Sequence, residues 1–196
     1  MLFMRLFLTV LVLIFSLQSW TKADDIRDFE IDGISVGDSA LDYFSEDELL
    51  NAKTTIYINS KKFYDIHLNK SSNNYDQITI AVKKNDKKYI IYSISGDIHF
   101  TGEEDKCLIK KKEIAKNFMD ILPDLKKSNY KHKYKSVDDG KSYSHVTDFN
   151  FKDGSAIRIW CNFFTKATLK KRKFFNGLSV SISPIEFLNW LNYEAF

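Results

Sequence analysis

Proline and glycine are scarce in this 196-residue sequence: there are two prolines and seven glycines. So little turn-forming residue leaves few places for linkers, and no low-complexity tract interrupts the chain. Cysteine is almost absent. Cys107 and Cys161 are the only two, and no Cys-x-x-Cys occurs, which argues against a redox pair. Two distant cysteines and a histidine have no zinc-ligand spacing either. There is no Gly-rich phosphate loop. No cofactor is expected. An excess of one charge is missing as well, with 29 basic against 26 acidic residues and a net charge of +3. So balanced a chain has no global field to draw it to nucleic acid.

What is present begins with MLFMRLFLTVLVLIFSLQSWTKADD. Arg5 supplies a positive start and residues 6–17 an apolar run. That run is short for a bilayer-spanning helix, which needs about 20 apolar residues, but suits the core of an export signal. Small residues at Thr21 and Ala23 predict cleavage after Ala23; an uncleaved anchor is the alternative. No cysteine at the junction offers a lipid anchor. Loss of Arg5 and Lys22 leaves 27 basic and 26 acidic residues, net +1. No later stretch is long and apolar enough to span a membrane. The expected organisation is a signal peptide at 1–23 and a single α+β domain at 24–196, periplasmic or secreted.

In an oxidising compartment an even cysteine count points to a disulfide. Over residues 103–127, Cys107, Ile114, Phe118, Ile121, Leu122 and Leu125 recur at helical spacing. Ile157, Ile159, Cys161 and Phe163 alternate with polar or larger neighbours, as on one face of a strand. A helix packed on that face would bring Cys107 and Cys161 together. Two buried free thiols or a redox pair are the rival readings.

Other segments complete the expectation. Residues 29–36 read as a strand and 39–51 as a helix broken between two capping signals. TTIYINSKKFYDIHLN reads as two short strands around Ser60, Lys61 and Lys62. YDQITIAVKKNDKKYIIYSISGDIHF reads as a hairpin, with Ile90, Tyr92, Ile94, Ile98 and Phe100 on one face. Residues 126–141 read as a loop with room for a short strand. In VTDFNFKDGSAIRIWCNFF, a two-residue turn would place Phe149 and Ile157 on opposite faces. A three-residue loop with Gly154 in a bulge places them together and is preferred. Residues 178–182 form a strand. Ser183, Pro184 and Glu186 then predict a full capping box on the last helix. The fold class is α+β: a mainly antiparallel sheet, one long helix packed on a face, and a short C-terminal capped helix.

FEIDGISVGDSALDYFSEDEL contains Gly37-Asp38-Ser39, a tripeptide that carries the nucleophile in one class of hydrolases. Such enzymes place the serine after a buried parallel strand and pair it with a histidine base. Here the preceding segment alternates. None of His67, His99, His132 and His145 has an aspartate three residues before it. Ser39 instead suits a helix cap, and Ser45 with Glu48 forms a second capping signature.

The stretch DIRDFEIDGISVGDSALDYFSEDEL, with YSISGDIHF and the cysteine after it, resembles a family of small exported proteins from marine bacteria. Its pattern is FEIxGxSxGDSxLDYFSExE. The resemblance implies export and a shared fold; it brings no activity and no functional residue.

Two more patterns bear on function. Asp65-Ile66-His67 and Asp97-Ile98-His99 repeat one tripeptide in two expected strands, with Asp and His on one face of each. On neighbouring strands, these four residues would suit a divalent metal; otherwise they face water. KATLKKRK at 166–173 is basic and flanked by phenylalanines. Lys166, Lys170, Lys171, Arg172 and Lys173 are candidates for anion binding or peripheral envelope contact; a solvated loop is the plainer reading. Lys110 to Lys112 would extend that patch only if the fold joined them. The expectation is an exported, non-catalytic protein that binds a partner protein or small ligand in the cell envelope. The alternative is a hydrolase or metal-dependent enzyme using Ser39 or the Asp65/His67 and Asp97/His99 pairs.

Overall fold

The computed structural model describes residues 25–69, 74–100, 102–138, 140–171 and 174–196. The leader at 1–23 and its cleavage after Ala23 lie outside the described residues, as do Arg172 and Lys173. Ten strands are described, β1 (Glu30–Ile31), β2 (Ile34–Ser35), β3 (Lys53–Ile56), β4 (Phe63–Leu68), β5 (Gln77–Lys83), β6 (Ile91–His99), β7 (Lys126–Lys133), β8 (Tyr143–Asn150), β9 (Ala156–Phe163) and β10 (Gly177–Ser183). The helices are α1 (Glu46–Asn51), α2 (Glu104–Ile121), α3 (Lys135–Asp138), α4 (Lys166–Lys171) and α5 (Ile185–Tyr193).

β3 to β10 form one eight-stranded sheet in the order β3-β4-β5-β6-β10-β9-β8-β7. Every neighbouring pair is antiparallel. The element order is a four-strand meander and a long helix, then a second meander and a shorter helix. β6 and β10, the last strand of each meander, meet in the middle.

One sheet face carries Ile66, Ile78, Ile80, Ile94, Ile157, Ile159, Leu178 and Val180, all buried. α2 and the N-terminal segment pack on it; Phe29 sits 6.1 Å from Phe118 and 5.7 Å from Phe151, ring to ring. The helix turns Cys107, Lys111 and Ala115 inward. Cys107 and Cys161 are joined in a disulfide. The β8–β9 hairpin has Phe149 opposite Ile157, with Gly154 at φ +88° in a three-residue loop. The bulged turn is therefore the one adopted.

Several boundaries differ from expectation. Residues 29–36 are not one strand: Asp32 and Gly33, both at positive φ, fold them into the tight β1–β2 hairpin. α2 ends at Ile121, which is exposed, and the chain turns at Leu122 so that β7 starts at Lys126. β7 is a full eight-residue strand at the sheet edge, where residues 126–133 had read as mostly loop. In β6 a bulge inserts Tyr92, since Val82 faces Ile91 while Ala81 faces Ser93. The bulge puts Ile91, not Ile90, in the core. The C-terminal capping box is absent. Ser183 ends β10 and bonds Ser93 Oγ at 2.7 Å, and Pro184 is the cap without a side-chain hydrogen bond. Glu186 reaches Lys83 (3.2 Å) and Lys62 (3.6 Å) instead of its own helix start.

Candidate functional site

The second sheet face is covered on one side only. α5 seats Phe187 and Trp190 on Phe63 and Ala81, with Tyr57 and Tyr92 packed around them. Trp190 Nε1 donates to Ser60 Oγ at 2.7 Å and so fixes the helix to the β3–β4 loop. Beyond α5 the same face lies open. Strand alternation lays Ser95, Ser181, Arg158 and Trp160 along its floor, and Tyr130 and Tyr134 rise from the β7 side. The result is a cleft of about 390 Å³, within the common range for small-ligand sites.

Strand register arranges the floor in rows. Ser181 stands opposite Ser95 on β6 and opposite Arg158 on β9. Trp160 is opposite Ser179 and Val146. Arg158 is closed onto buried Asp148 by two hydrogen bonds, Nε at 2.7 Å and Nη2 at 3.0 Å. Tyr130 also donates to Asp148, at 3.0 Å. The hydrogen bond from Arg158 holds its guanidinium above the usual range despite burial. Among the described residues, the hydroxyls of Ser95 and Ser181 and the indole N–H of Trp160 make no hydrogen bond.

At the α5 end, Tyr57 donates to Asp65 Oδ2 at 2.7 Å. Burial pushes the Asp65 carboxyl up to about 6, and the Tyr57 bond only partly opposes this. Burial raises buried Asp97 to about 6 as well, against hydrogen bonds from Ser179 and Gln77.

The two Asp-Ile-His tripeptides do project to this face, but β5 separates their strands. Gln77 spans them, with Nε2 3.3 Å from His67 Nδ1 and 3.4 Å from Asp97 Oδ2. His67 is occupied on both nitrogens, by Thr55 Oγ1 at 2.8 Å and Thr79 Oγ1 at 3.0 Å. Burial pushes its imidazole down, toward the neutral form. His99 stacks on Phe175 at 4.5 Å. Among the described residues no three histidine, cysteine, aspartate or glutamate side chains group as a metal site.

Ser39 is the cap of a 3-10 turn. Its hydroxyl accepts from the amide of Leu41 and donates to the Lys88 carbonyl at 2.6 Å. Ser45 and Glu48 form the predicted capping box. Lys166, Lys170 and Lys171 of the basic run lie on α4 rather than in a loop. Thr165 and buried Thr168 bind Asp138, leaving Lys166, Lys170 and Lys171 exposed. Burial pushes the Asp138 carboxyl up, and hydrogen bonds from Ser142, Thr168 and Thr165 outweigh this and hold it at about 2. Lys111, central to the other basic triplet, is buried against Thr147. That triplet offers no continuous cationic strip.

A second hollow, of about 560 Å³, lies beside Ile56, Tyr64 and the turn at 84–87. Its polar groups are mostly exposed side chains, for which solvent competes directly. Sequence reasoning missed the cleft because its serines alternate with core residues and so read as water-facing. The clue was Trp160, a large aromatic side chain on the polar side of β9. Compared with protein families, with characterised proteins and with solved structures, the chain matches none.

Proposed function

We propose that this protein is an exported, non-catalytic binding protein that holds a small, polar, ring-bearing ligand in the cleft. The observation that carries this reading is the floor itself. Ser95, Ser181 and the Trp160 indole present unpartnered polar groups in a concavity beside aromatic rings. Small-molecule sites combine apolar walls with a few convergent polar groups in this way. The disulfide supports export. The hydroxyl of Ser39 is committed to backbone groups, which favours binding over nucleophilic chemistry.

The test is native mass spectrometry of the full chain recovered from a periplasm. The expected spectrum shows a chain starting at Asp24, two hydrogens lighter through its disulfide, with a small-molecule adduct. Trp160→Ala should lose the adduct while keeping its melting temperature. A bare chain, with no member of a small-molecule library raising the melting temperature, would overturn the reading.

A further inference from the structure

The chemistry of the cleft narrows its occupant, and this step rests on the binding reading just given. We propose that the ligand is an uncharged carbohydrate, with one sugar ring lying on Trp160 and its hydroxyls meeting Ser181, Ser95 and the free edge of Arg158.

Three observations converge. The first is charge. Arg158 is the cation on the cleft floor, and Asp148 takes two of its N–H groups while also receiving the Tyr130 hydroxyl. At the far end Asp65 is held by Tyr57. An ionic ligand would have to leave water for a floor whose guanidinium and carboxylates are already paired, and that desolvation is costly. A neutral ligand avoids the penalty.

The second is hydrogen-bonding character. Ser95 and Ser181 are neighbours across the β6–β10 ladder, and Arg158 follows Ser181 across β9. Adjacent strands lie roughly 4.8 Å apart, so the row sets polar groups at a spacing that one sugar ring can bridge. Serine hydroxyls both donate and accept, as sugar hydroxyls do. The outer guanidinium nitrogen of Arg158, left free by Asp148, adds donors. A purely aromatic ligand would leave these groups unsatisfied.

The third is shape. Trp160 stands between Val146 and Ser179 on the second sheet face, with Tyr130 beyond Val146. An indole face carries negative π density. The C–H face of a pyranose is apolar and slightly positive, so it stacks there while its rim of hydroxyls turns to the serines.

The test is an array of neutral gluco-, manno- and galacto-oligosaccharides beside uronic-acid and sulfated ones, followed by calorimetry on the full chain. Neutral sugars should bind. Trp160→Ala should weaken binding by about tenfold or more, a difference of 1.4 kcal/mol, and Trp160→Tyr should restore most of it. The Ser95→Ala/Ser181→Ala pair should weaken binding with an unchanged melting temperature. Preference for charged sugars would overturn the neutral-ligand proposal and keep the cleft. If no sugar binds but a Trp160-dependent adduct appears in native mass spectra, the carbohydrate claim falls and the binding reading stands. No sugar and no adduct would overturn both.

Discussion

Cys107 on α2 and Cys161 on β9 are covalently joined with their Cα atoms 6.0 Å apart, which ties the long helix to the buried face of the sheet. The bond links residues 54 positions apart. It bridges the second meander, whose first strand, β7, is an edge strand without apolar anchoring. Constraining an unfolded loop of that size is worth about 4 kcal/mol in the chain-entropy account. Cys107→Ser with Cys161→Ser should lower the unfolding free energy in urea by about that amount. A loss under about 1 kcal/mol would mean that packing of α2 alone holds the helix in place.

Ser39 joins the N-terminal segment to the β5–β6 loop by its hydroxyl bond to Lys88, while also capping the turn at residues 40–42. Ser39→Ala removes both contacts. It should destabilise the protein by about 1 kcal/mol and leave ligand binding at the cleft unaltered. Thermal melts and calorimetry on the same variant would check this. Lost binding with full stability would return Ser39 to the functional site.

Lys111 is 9% exposed on the core side of α2, and its ammonium donates to Thr147, which in turn donates to Asn129 at 2.7 Å. Burial pulls the Lys111 ammonium below its usual range, and neighbouring Lys127 adds to this. Replacing a buried cation by an apolar chain of similar length is often neutral or stabilising. Lys111→Met should therefore match or exceed the wild-type melting temperature. A clear fall would show that the link to β7 through Thr147 and Asn129 outweighs the desolvation of the charge.

The disulfide could be read from sequence because its two halves obey different periods. Cys107 follows helical spacing and Cys161 strand alternation, and each lies on the apolar side. The Phe149–Ile157 register was legible for a related reason, as only one turn length puts both in the core. β7 was not legible: its Lys126, Lys127, Lys131 and Lys133 are exposed, so no apolar alternation marks it. Such lysines suit an edge strand, since they deter pairing with other chains. The β6 bulge at Tyr92 was hidden too, because an inserted residue breaks the period by which faces are assigned. The cleft depends on where α5 docks, which no local pattern encodes. Serines that read as solvent-facing became a floor once α5 covered half of their face.

Asp65 offers the sharpest pH test. Burial raises its carboxyl from an ordinary 3.8 to about 6, while Tyr57 supplies a hydrogen bond. The folded protein therefore binds this proton more tightly than the unfolded chain. Its favourable contribution is complete below about pH 4 and is lost as pH rises through about 6. A shift of that size corresponds to about 3 kcal/mol between the two ends of the window. Asp65→Asn keeps an acceptor for Tyr57 and removes the ionisation. The variant should equal the wild type near pH 3.5 and exceed it by about 3 kcal/mol at pH 7.5. Between those values its unfolding free energy should fall less steeply with pH, retaining the slope that Asp97 contributes through the same cause. Urea titrations at both pH values, followed by circular dichroism, would measure this. Greater destabilisation by Asp65→Asn at pH 7.5 than at pH 3.5 would show that the carboxylate is held by contacts that outweigh its burial.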